Sequence, residues 1–313
     1  MSIRILTSWK PFDAEFGPIQ RAAVASWRRH SRAEITVLGD EEAGSAQAAR
    51  DFGVTLVRTA SMRTARDLGF GYGAPLLTSI VEQGDAQTQS DQDVVLWLNA
   101  DLILVHDVDA ILEHVFSEWP DPFMVGRRRN VKTFKDAALG AGTIEIPTGA
   151  DVFAWRRGFF ARHGVVVPPY ILGRFAWDQW LMRVAIEHAR DPVDPTEALH
   201  VCHPEHGYGH MSGVEQGVEA WSSAGAGHNL HLSPESHAFK MTDQRWRRLP
   251  ASLLSACIEG PPAVLFEGER SPTLIAGLPG VYVIPPRLKD PMDFSWEFDE
   301  LFTLVDLRGV TTA

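Results

Sequence analysis

The stretch DVVLWLNADLILVH, from Asp93 to His106, decides the fold. Its five apolar residues at 94–98 predict a strand buried on both faces, because such a strand reads as an unbroken apolar run. The run stops at Asn99-Ala100-Asp101 and resumes at 102–105. An acid at the carboxyl end of a buried strand lies where open α/β sheets bind their ligands, so Asp101 is the first candidate for chemistry. The alternative is an Asp that caps a turn.

Strand and helix patterns alternate through the first half of the chain. Strand patterns lie at 3–6, 34–38, 54–57, 94–98 and 123–125, and helix patterns lie at 18–30, 44–52, 75–82 and 108–116. This alternation is typical of βαβ units, whose parallel strands are joined by right-handed crossovers. The sequence therefore predicts an α/β fold with a Rossmann-like, mostly parallel central sheet flanked by helices.

The composition of the 313 residues, 45% hydrophobic and 22% charged, is ordinary for a globular protein. A formal net charge of -11 disfavours nucleic acid as a partner, since phosphate contacts need a basic face. Cys202 and Cys257 are too few for a disulfide framework. No apolar run reaches the roughly 18 to 20 residues of a membrane span, and the chain enters a strand pattern without a signal peptide. These features predict a cytoplasmic protein with no integral membrane segment.

Several nucleotide-binding and hydrolase motifs are missing from the sequence. The glycine cluster at 69–73 does not follow a strand and open a helix, as the dinucleotide fingerprint G-x-G-x-x-G does. There is no G-x-x-x-x-G-K-[ST] phosphate loop and no G-x-S-x-G nucleophile elbow. An acid at the end of a central strand remains, and that arrangement suits a metal-bound nucleotide sugar.

Three segments resemble glycosyltransferases of the GT-A fold. VVLWLNADLIL is similar to the segment that carries their D-x-D motif, with Asn99 in place of the first Asp. A second group of residues resembles the acceptor side of a little-characterised GT-A-like group. These residues are Gly149-Ala150-Asp151-Val152-Phe153, Pro168-Pro169, Gly173-Arg174 and Trp177-Asp178-Gln179-Trp180. The group's His-x-x-His-Asp-Tyr-x-His segment is similar to HPEHGYGH at 203–210. The three matches lie in the expected order within residues 1–232.

The resemblance implies a GT-A-like fold and a divalent metal, Mn²⁺ or Mg²⁺. A nucleotide-sugar donor leaves as a diphosphate, whose developing negative charge must be neutralised by a cation or by arginines. By the resemblance, Asp101 and His210 ligate the metal, and Asn99 contacts the donor ribose or a metal-bound water. Arg128 suits the diphosphate through its bidentate geometry, and Lys10 is a second cation for it.

Asp178 is the candidate catalytic base. It lies in the first turn of a helix predicted from 177 to about 189, where the backbone N–H groups favour a carboxylate. The alternative is that Asp178 only caps that helix. The resemblance implies that an acid here deprotonates the acceptor hydroxyl, as in inverting GT-A enzymes. The remaining candidates are Asp151, Tyr170, Trp177 and His206 for the acceptor, and Thr7, Ser8 and Asp40, at the ends of the first two strands, for the donor nucleotide.

Three parts of the chain are predicted: a GT-A-like transferase domain at 1–232, a linker at 233–249 and a small α/β extension at 250–313. The extension has helix patterns at 251–258 and 271–278 and strand patterns at 263–267, 281–284 and 302–305. The predicted function is transfer of a sugar from a nucleotide diphosphate-sugar to an acceptor hydroxyl, with inversion.

Two alternatives from other classes stay open. A non-catalytic protein that binds a nucleotide sugar is favoured by Asn99 in place of the usual acid. A metal-dependent hydrolase is favoured by the imidazole cluster of His203, His206 and His210.

Overall fold

The structure is a computed structural model of the chain. It describes residues 1–133, 136–137, 142–206, 223–233, 240–242 and 244–253, and the backbone of strands at 263–266, 281–283 and 304–306. The predicted metal ligand His210 and the helix pattern at 271–278 lie outside the described residues. Within those residues, no helix is both long enough and apolar enough to span a membrane.

The regular elements follow the alternation that the sequence predicts. The strands are β1 (Ile3–Thr7), β2 (Glu34–Leu38), β3 (Thr55–Val57), β4 (Val94–Leu98), β5 (Ile103–Leu104), β6 (Pro122–Gly126), β7 (Arg129–Val131), β8 (Thr143–Ile144), β9 (Val152–Arg156), β10 (Asp191–Asp194), β11 (Val201–Pro204), β12 (Arg247–Arg248), β13 (Ala263–Phe266), β14 (Val281–Val283) and β15 (Leu304–Asp306). The α-helices are α1 (Phe16–His30), α2 (Ser45–Phe52), α3 (Leu77–Gln87), α4 (Val108–Glu118), α5 (Phe159–Arg162), α6 (Trp177–His188) and α7 (Ala224–Leu232).

An eight-stranded sheet in the order β3-β2-β1-β4-β9-β6-β10-β12 forms the centre of the fold. β9 runs antiparallel to its neighbours β4 and β6, and the other neighbouring strands are parallel. The prediction of an α/β fold with a mostly parallel sheet is confirmed. The edge strand β12 belongs to the segment that the sequence analysis assigns to a linker, and it pairs with β10. The division into a domain, a linker and an extension stays a prediction.

β4 is buried along its whole length, as its apolar run predicts. Val94, Leu96 and Leu98 belong to the hydrophobic cluster that includes α1 and α4, whereas Val95 and Trp97 belong to the cluster that includes α3 and α6. Successive side chains of a strand point to opposite faces, so β4 contributes to both cores. The sheet therefore fixes the position of the turn that carries Asp101.

A second sheet has the order β5-β11-β7-β8, and its strand β5 directly follows the turn that carries Asp101. The apolar run at 102–105 therefore does not continue β4 but forms β5, which pairs antiparallel with β11. Two residues of α1 hold this turn: the Trp27 indole donates a hydrogen bond to the Leu102 carbonyl, 2.7 Å, and the Ser26 hydroxyl accepts one from the Leu104 amide, 3.0 Å. Because β11 pairs with both β5 and β7, it lies between the segment that follows Asp101 and the segment that follows Arg128.

A third sheet has the order β14-β13-β15, with β13 parallel to β14 and antiparallel to β15. Its strands correspond, within two residues at each end, to the three strand patterns of the predicted extension.

Replacing Leu96 with Ala should lower the free energy of unfolding by about 2–5 kcal/mol, because the substitution leaves a cavity beneath a strand that is packed on both faces. Urea denaturation followed by circular dichroism measures this loss. The control is Val166→Ala, at a side chain that is 87% exposed, where the change should stay within about 0.5 kcal/mol. Equal effects at the two positions would contradict the assignment of β4 to the core.

Candidate active site

A cleft of about 530 Å³ opens at the carboxyl ends of β1, β2 and β4. It is also bordered by the residues that follow β6, by the segment that leads into β9, by the start of α6 and by the end of β11. The lining includes most of the residues that the sequence analysis selects: Ser8, Lys10, Asn99, Asp101, Arg128, Asp151, Trp177, Asp178 and His206. Side chains from distant parts of the chain thus meet at one edge of the main sheet.

The Asp101 carboxylate lies at the bottom of this cleft and is only 3% exposed. Its Oδ2 atom is 2.9 Å from His206 Nε2 and 3.2 Å from His203 Nε2, and it also contacts the Lys10 ammonium. Burial by itself raises the pKa of this carboxyl, but Lys10 and the two histidines outweigh burial and hold the pKa well below its usual range. Asp101 is therefore ionised at neutral pH.

Asp101, His203 and His206 form a candidate metal site. The three atoms Asp101 Oδ2, His203 Nε2 and His206 Nε2 are 2.9, 3.2 and 3.1 Å apart. Adjacent ligands of an octahedral ion lie about 3.0 Å apart when each metal–ligand distance is about 2.1 Å, so the triangle matches one face of an octahedron. Asp101 Oδ1 and His203 Nδ1 are buried without a hydrogen-bond partner among the described residues. Two imidazoles beside one carboxylate suit Mn²⁺ better than Mg²⁺, which prefers oxygen ligands.

The register of the second sheet explains this cluster. Cys202 on β11 pairs with Ile103 on β5, so His203 and Asp101 project at the same end of that antiparallel pair. The sequence analysis assigns His206 to the acceptor, but the structure places it against Asp101. His203 enters the site as well, although the GT-A resemblance implied only Asp101 and His210 as metal ligands. The sequence analysis placed His203 in an imidazole cluster that suits a metal-dependent hydrolase.

Asn99 is held as an amide between two partners. The Trp97 indole donates a hydrogen bond to Asn99 Oδ1, 3.1 Å, and Asn99 Nδ2 donates one to Asp151 Oδ1, 2.8 Å. An indole N–H can only donate and a carboxylate can only accept, so one side chain between them needs both an acceptor and a donor. An amide supplies both. An aspartate at position 99 would instead bring its own carboxylate oxygen against that of Asp151, which explains the Asn in place of the first acid.

Arg128 connects Asp151 to a second acid. Its guanidinium donates to Asp151 Oδ1 at 2.7 Å and lies 2.9 Å from Glu145 Oε2. Burial lowers the pKa of Arg128, but Asp151, Asp101 and Glu145 outweigh burial and raise it above its ordinary value. The pKa of Glu145 is lowered despite burial, by hydrogen bonds from Asn130 and the Ile146 amide and by Arg128. Arg128 therefore stays protonated, and two carboxylates in the wall of the cleft surround its charge.

Asp178 lies at the start of α6, next to a strained backbone position. Ala176, which precedes the helix, has φ of 77°, the one positive φ of a residue other than glycine in the described part of the chain. Asp178 Oδ2 accepts a hydrogen bond from the Ala150 amide, 3.4 Å. Burial, and then the negative charge of Asp151, raise the pKa of Asp178 to about 7. A carboxyl with this pKa is suited to proton transfer at neutral pH.

Three predicted site residues do not line the cleft. Tyr170 is fully buried and packs against Trp180, with ring centroids 5.7 Å apart. Thr7 is also fully buried. The Asp40 carboxylate accepts a hydrogen bond from the Thr59 amide, 2.9 Å, which lowers its pKa and ties β2 to the following loop. Position at a strand end predicts the correct edge of the sheet, but it does not predict which way a side chain points.

Arg174 and Tyr72 border the cleft, although the sequence analysis gave neither of them a role in binding. The Arg174 guanidinium lies 4.8 Å from the centre of the Tyr72 ring, and both side chains border the cleft. Tyr72 lies within the glycine cluster at 69–73, and that cluster was the feature of the sequence that could have indicated a lining residue here. Trp97 and Trp177 form an edge-to-face pair, with centroids 6.1 Å apart, that also borders the cleft.

Comparisons with known proteins give a limited result. No protein-family model matches the chain, and no curated protein matches its sequence. Among solved structures, S. aureus TarS in complex with UDP-GlcNAc is similar at 10% identity and a TM-score of 0.43, covering 69% of this chain and 62% of that one. A structure of GalNAc-T7 with UDP, GalNAc and Mn²⁺ is similar at 9% identity and a TM-score of 0.49, covering 76% and 50%.

A mannosyltransferase from Pyrobaculum calidifontis in complex with GDP-Man and Mn²⁺ is similar at 14% identity and a TM-score of 0.39, covering 70% of this chain and 59% of that one. The chain spans less than two thirds of the length of each of these three proteins. At TM-scores below 0.5 the similarity extends to neither a reaction nor a substrate. The α/β sheet that the GT-A resemblance implies is confirmed instead by the strand pairings of the chain itself.

Replacing Asn99 with Asp should lower the free energy of unfolding at pH 7 by about 1–3 kcal/mol, because two buried carboxylates then face each other. The deficit should shrink as the pH falls and the pair takes up a proton. The double variant Asn99→Asp/Asp151→Asn exchanges the acceptor and the donor, so it should recover most of the loss. Urea denaturation of the four members of this cycle gives the coupling energy. An additive cycle would contradict the role given to Asn99.

Replacing Asp178 with Asn should stabilise the protein at pH 8 and leave it almost unchanged near pH 4. The folded-state pKa of about 7 lies above the ordinary value of 3.8, so ionisation of Asp178 reduces stability progressively between about pH 4 and pH 7. Melting temperatures of the wild type and the variant at pH 4, 6 and 8 measure the difference. A stabilisation that does not depend on pH would contradict the raised pKa. Asp91→Asn, at an exposed surface acid, is the control.

Proposed function

We propose that the chain is a glycosyltransferase that moves a sugar from a nucleotide diphosphate-sugar donor to an acceptor hydroxyl. One observation carries the proposal: a site suited to a divalent cation and a carboxyl with a pKa of about 7 line the same cleft. The first suits a leaving diphosphate, and the second suits removal of a proton from a hydroxyl. The resemblance of the sequence to GT-A glycosyltransferases supports the same reaction.

The donor is assigned to the part of the cleft near Asp101. Asp101, His203 and His206 would hold Mn²⁺, which supplies the positive charge that stabilises a departing diphosphate. Arg128 borders the same region, and its two carboxylate partners, Glu145 and Asp151, fix its orientation and outnumber its charge. Ser8 and Asn99 border the cleft at the ends of β1 and β4, where α/β sheets bind nucleotides.

The acceptor is assigned to the part of the cleft near α6. The Asp178 carboxylate would take the proton of the acceptor hydroxyl while the acceptor oxygen forms a bond to the anomeric carbon. The bond between that carbon and the diphosphate oxygen breaks, and the electron pair leaves with the diphosphate. Attack from the face opposite the leaving group inverts the anomeric configuration. Trp97 and Trp177 are only 3% and 6% exposed, so they contribute to the wall of this part of the cleft and offer no free ring face.

Asp178 must be ionised to accept a proton, so the proposed transfer rate should rise with pH through about 7. The negative charge of Asp151 contributes to the raised pKa of Asp178, so Asp151 affects the proton transfer without accepting the proton itself.

A cytoplasmic location stays a prediction.

A thermal-shift screen against UDP, GDP, CDP and TDP, each with and without Mn²⁺, tests the donor site. One nucleotide at about a hundred times its dissociation constant should add about 2.7 kcal/mol of stability, a rise of several degrees at most for a chain of this length. The rise should require Mn²⁺ and disappear in Asp101→Asn, whereas Asp91→Asn should behave as the wild type does.

Turnover tests the catalytic base. The substrates are a panel of nucleotide sugars that contain the nucleoside diphosphate identified by the screen, together with a panel of sugar acceptors. Asp178→Asn should keep its donor affinity and lose about 10²- to 10⁴-fold in rate. An unchanged rate would remove Asp178 from the mechanism. A rise in melting temperature with metal alone, and none with any nucleotide, would favour a metal-dependent hydrolase built on Asp101, His203 and His206.

A further inference from the structure

Lys10 already contacts two of the three atoms that form the candidate metal site. Its ammonium contacts Asp101 Oδ2 and lies 3.1 Å from His206 Nε2. These are the same atoms that a divalent ion would bind. The site therefore holds a positive charge that belongs to the protein itself.

The backbone of Lys10 is fixed, whereas its side chain can move. Gln20, a fully buried residue of α1, accepts a hydrogen bond from the Lys10 amide at 2.7 Å and donates one to the Lys10 carbonyl at 2.9 Å. A lysine ammonium is a point charge at the end of a flexible chain of four carbons. The Lys10 side chain is 18% exposed and borders the cleft, so its ammonium can turn into the cleft while the backbone stays in place.

Asp101 Oδ2 is shared by the Lys10 ammonium and the two histidines. The neighbouring acids Asp151 and Glu145 are instead held by Arg128. A cation that enters the histidine pair therefore meets Lys10 at the same oxygen atom. An ammonium and a divalent ion bound to the same carboxylate oxygen would repel each other strongly in so little solvent.

We propose that Lys10 and the divalent metal ion bind Asp101 in alternation. Without metal, Lys10 neutralises the buried carboxylate and holds the site together. Metal entry displaces the ammonium into the cleft, where it binds the donor diphosphate. The second step rests on the proposed function, whereas the first requires only the metal site.

Binding of Mn²⁺ in the absence of nucleotide tests the first step. Free Mn²⁺ is followed by electron paramagnetic resonance for the wild type, Lys10→Met, Lys10→Gln and Lys10→Arg. The two uncharged variants should bind Mn²⁺ at least tenfold more tightly than the wild type, and Lys10→Arg should stay close to it. Lys132→Met removes the same charge from an exposed residue that does not line the cleft, and it should not change the affinity.

A stability measurement accompanies this titration. Without metal, Lys10→Met leaves the buried Asp101 carboxylate without its lysine partner and should lower the melting temperature. Mn²⁺ should then raise that temperature by more than in the wild type. Unchanged or weaker Mn²⁺ affinity in both uncharged variants, or no Mn²⁺ binding by any of the proteins, would overturn the alternation.

Nucleotide affinity tests the second step. The ligand is the nucleoside diphosphate, among UDP, GDP, CDP and TDP, that stabilises the wild type. In saturating Mn²⁺, the affinity of Lys10→Met for this ligand should be at least fivefold weaker than that of the wild type. One substitution would thus strengthen metal binding and weaken diphosphate binding. Equal diphosphate affinities would overturn the transfer of the ammonium. Failure of every nucleotide to bind the wild type would overturn this step together with the proposed donor, while the Mn²⁺ titration would still decide the first step.

Discussion

Burial of the Asp101 carboxylate is the constraint on which the rest of the cleft depends. An ionised carboxylate away from water costs several kcal/mol unless cations and hydrogen-bond donors surround it. Its partners come from two distant segments: Lys10 follows β1, and His203 and His206 come from the end of β11. Hydrogen bonds from Gln20 of α1 fix the backbone of Lys10, and the pairing of β11 with β5 positions the two histidines. The partners of the charge at the end of β4 thus depend on both α1 and the second sheet.

Three aspartates in one cleft differ in their partners, and the difference sets their chemistry. Asp101 is surrounded by cationic and imidazole groups, so its pKa is low and it stays charged. Asp151 is paired with Arg128 and accepts a hydrogen bond from Asn99. Asp178 has no ion pair among the described residues and lies near the charge of Asp151, so its pKa rises. Carboxyls whose environments separate their pKa values can divide the roles of a charged ligand and a proton acceptor between them.

Asn99 shows why a motif cannot be read one residue at a time. In the sequence, an amide in place of the first acid of D-x-D weakens the case for a metal site. In the structure, that amide accepts from Trp97 and donates to Asp151, while the metal-type cluster is completed by His203 and His206. The amide at position 99 therefore fits the acid 52 residues later in the chain, and the two side chains form one hydrogen-bonded unit.

The sequence by itself determined the parts of this protein that depend on local periodicity. The unbroken apolar run at 94–98 and the alternation of strand and helix patterns established the mostly parallel sheet and the edge where Asp101 lies, because burial on both faces of a strand is written in consecutive residues. Only the tertiary structure decided which side chains meet there. It brought His203 and Lys10 to Asp101, removed Tyr170, Thr7 and Asp40 from the cleft, and raised the pKa of Asp178. These outcomes depend on strand register, side-chain direction and desolvation, which arise between segments that are far apart in the chain and leave no local pattern in it.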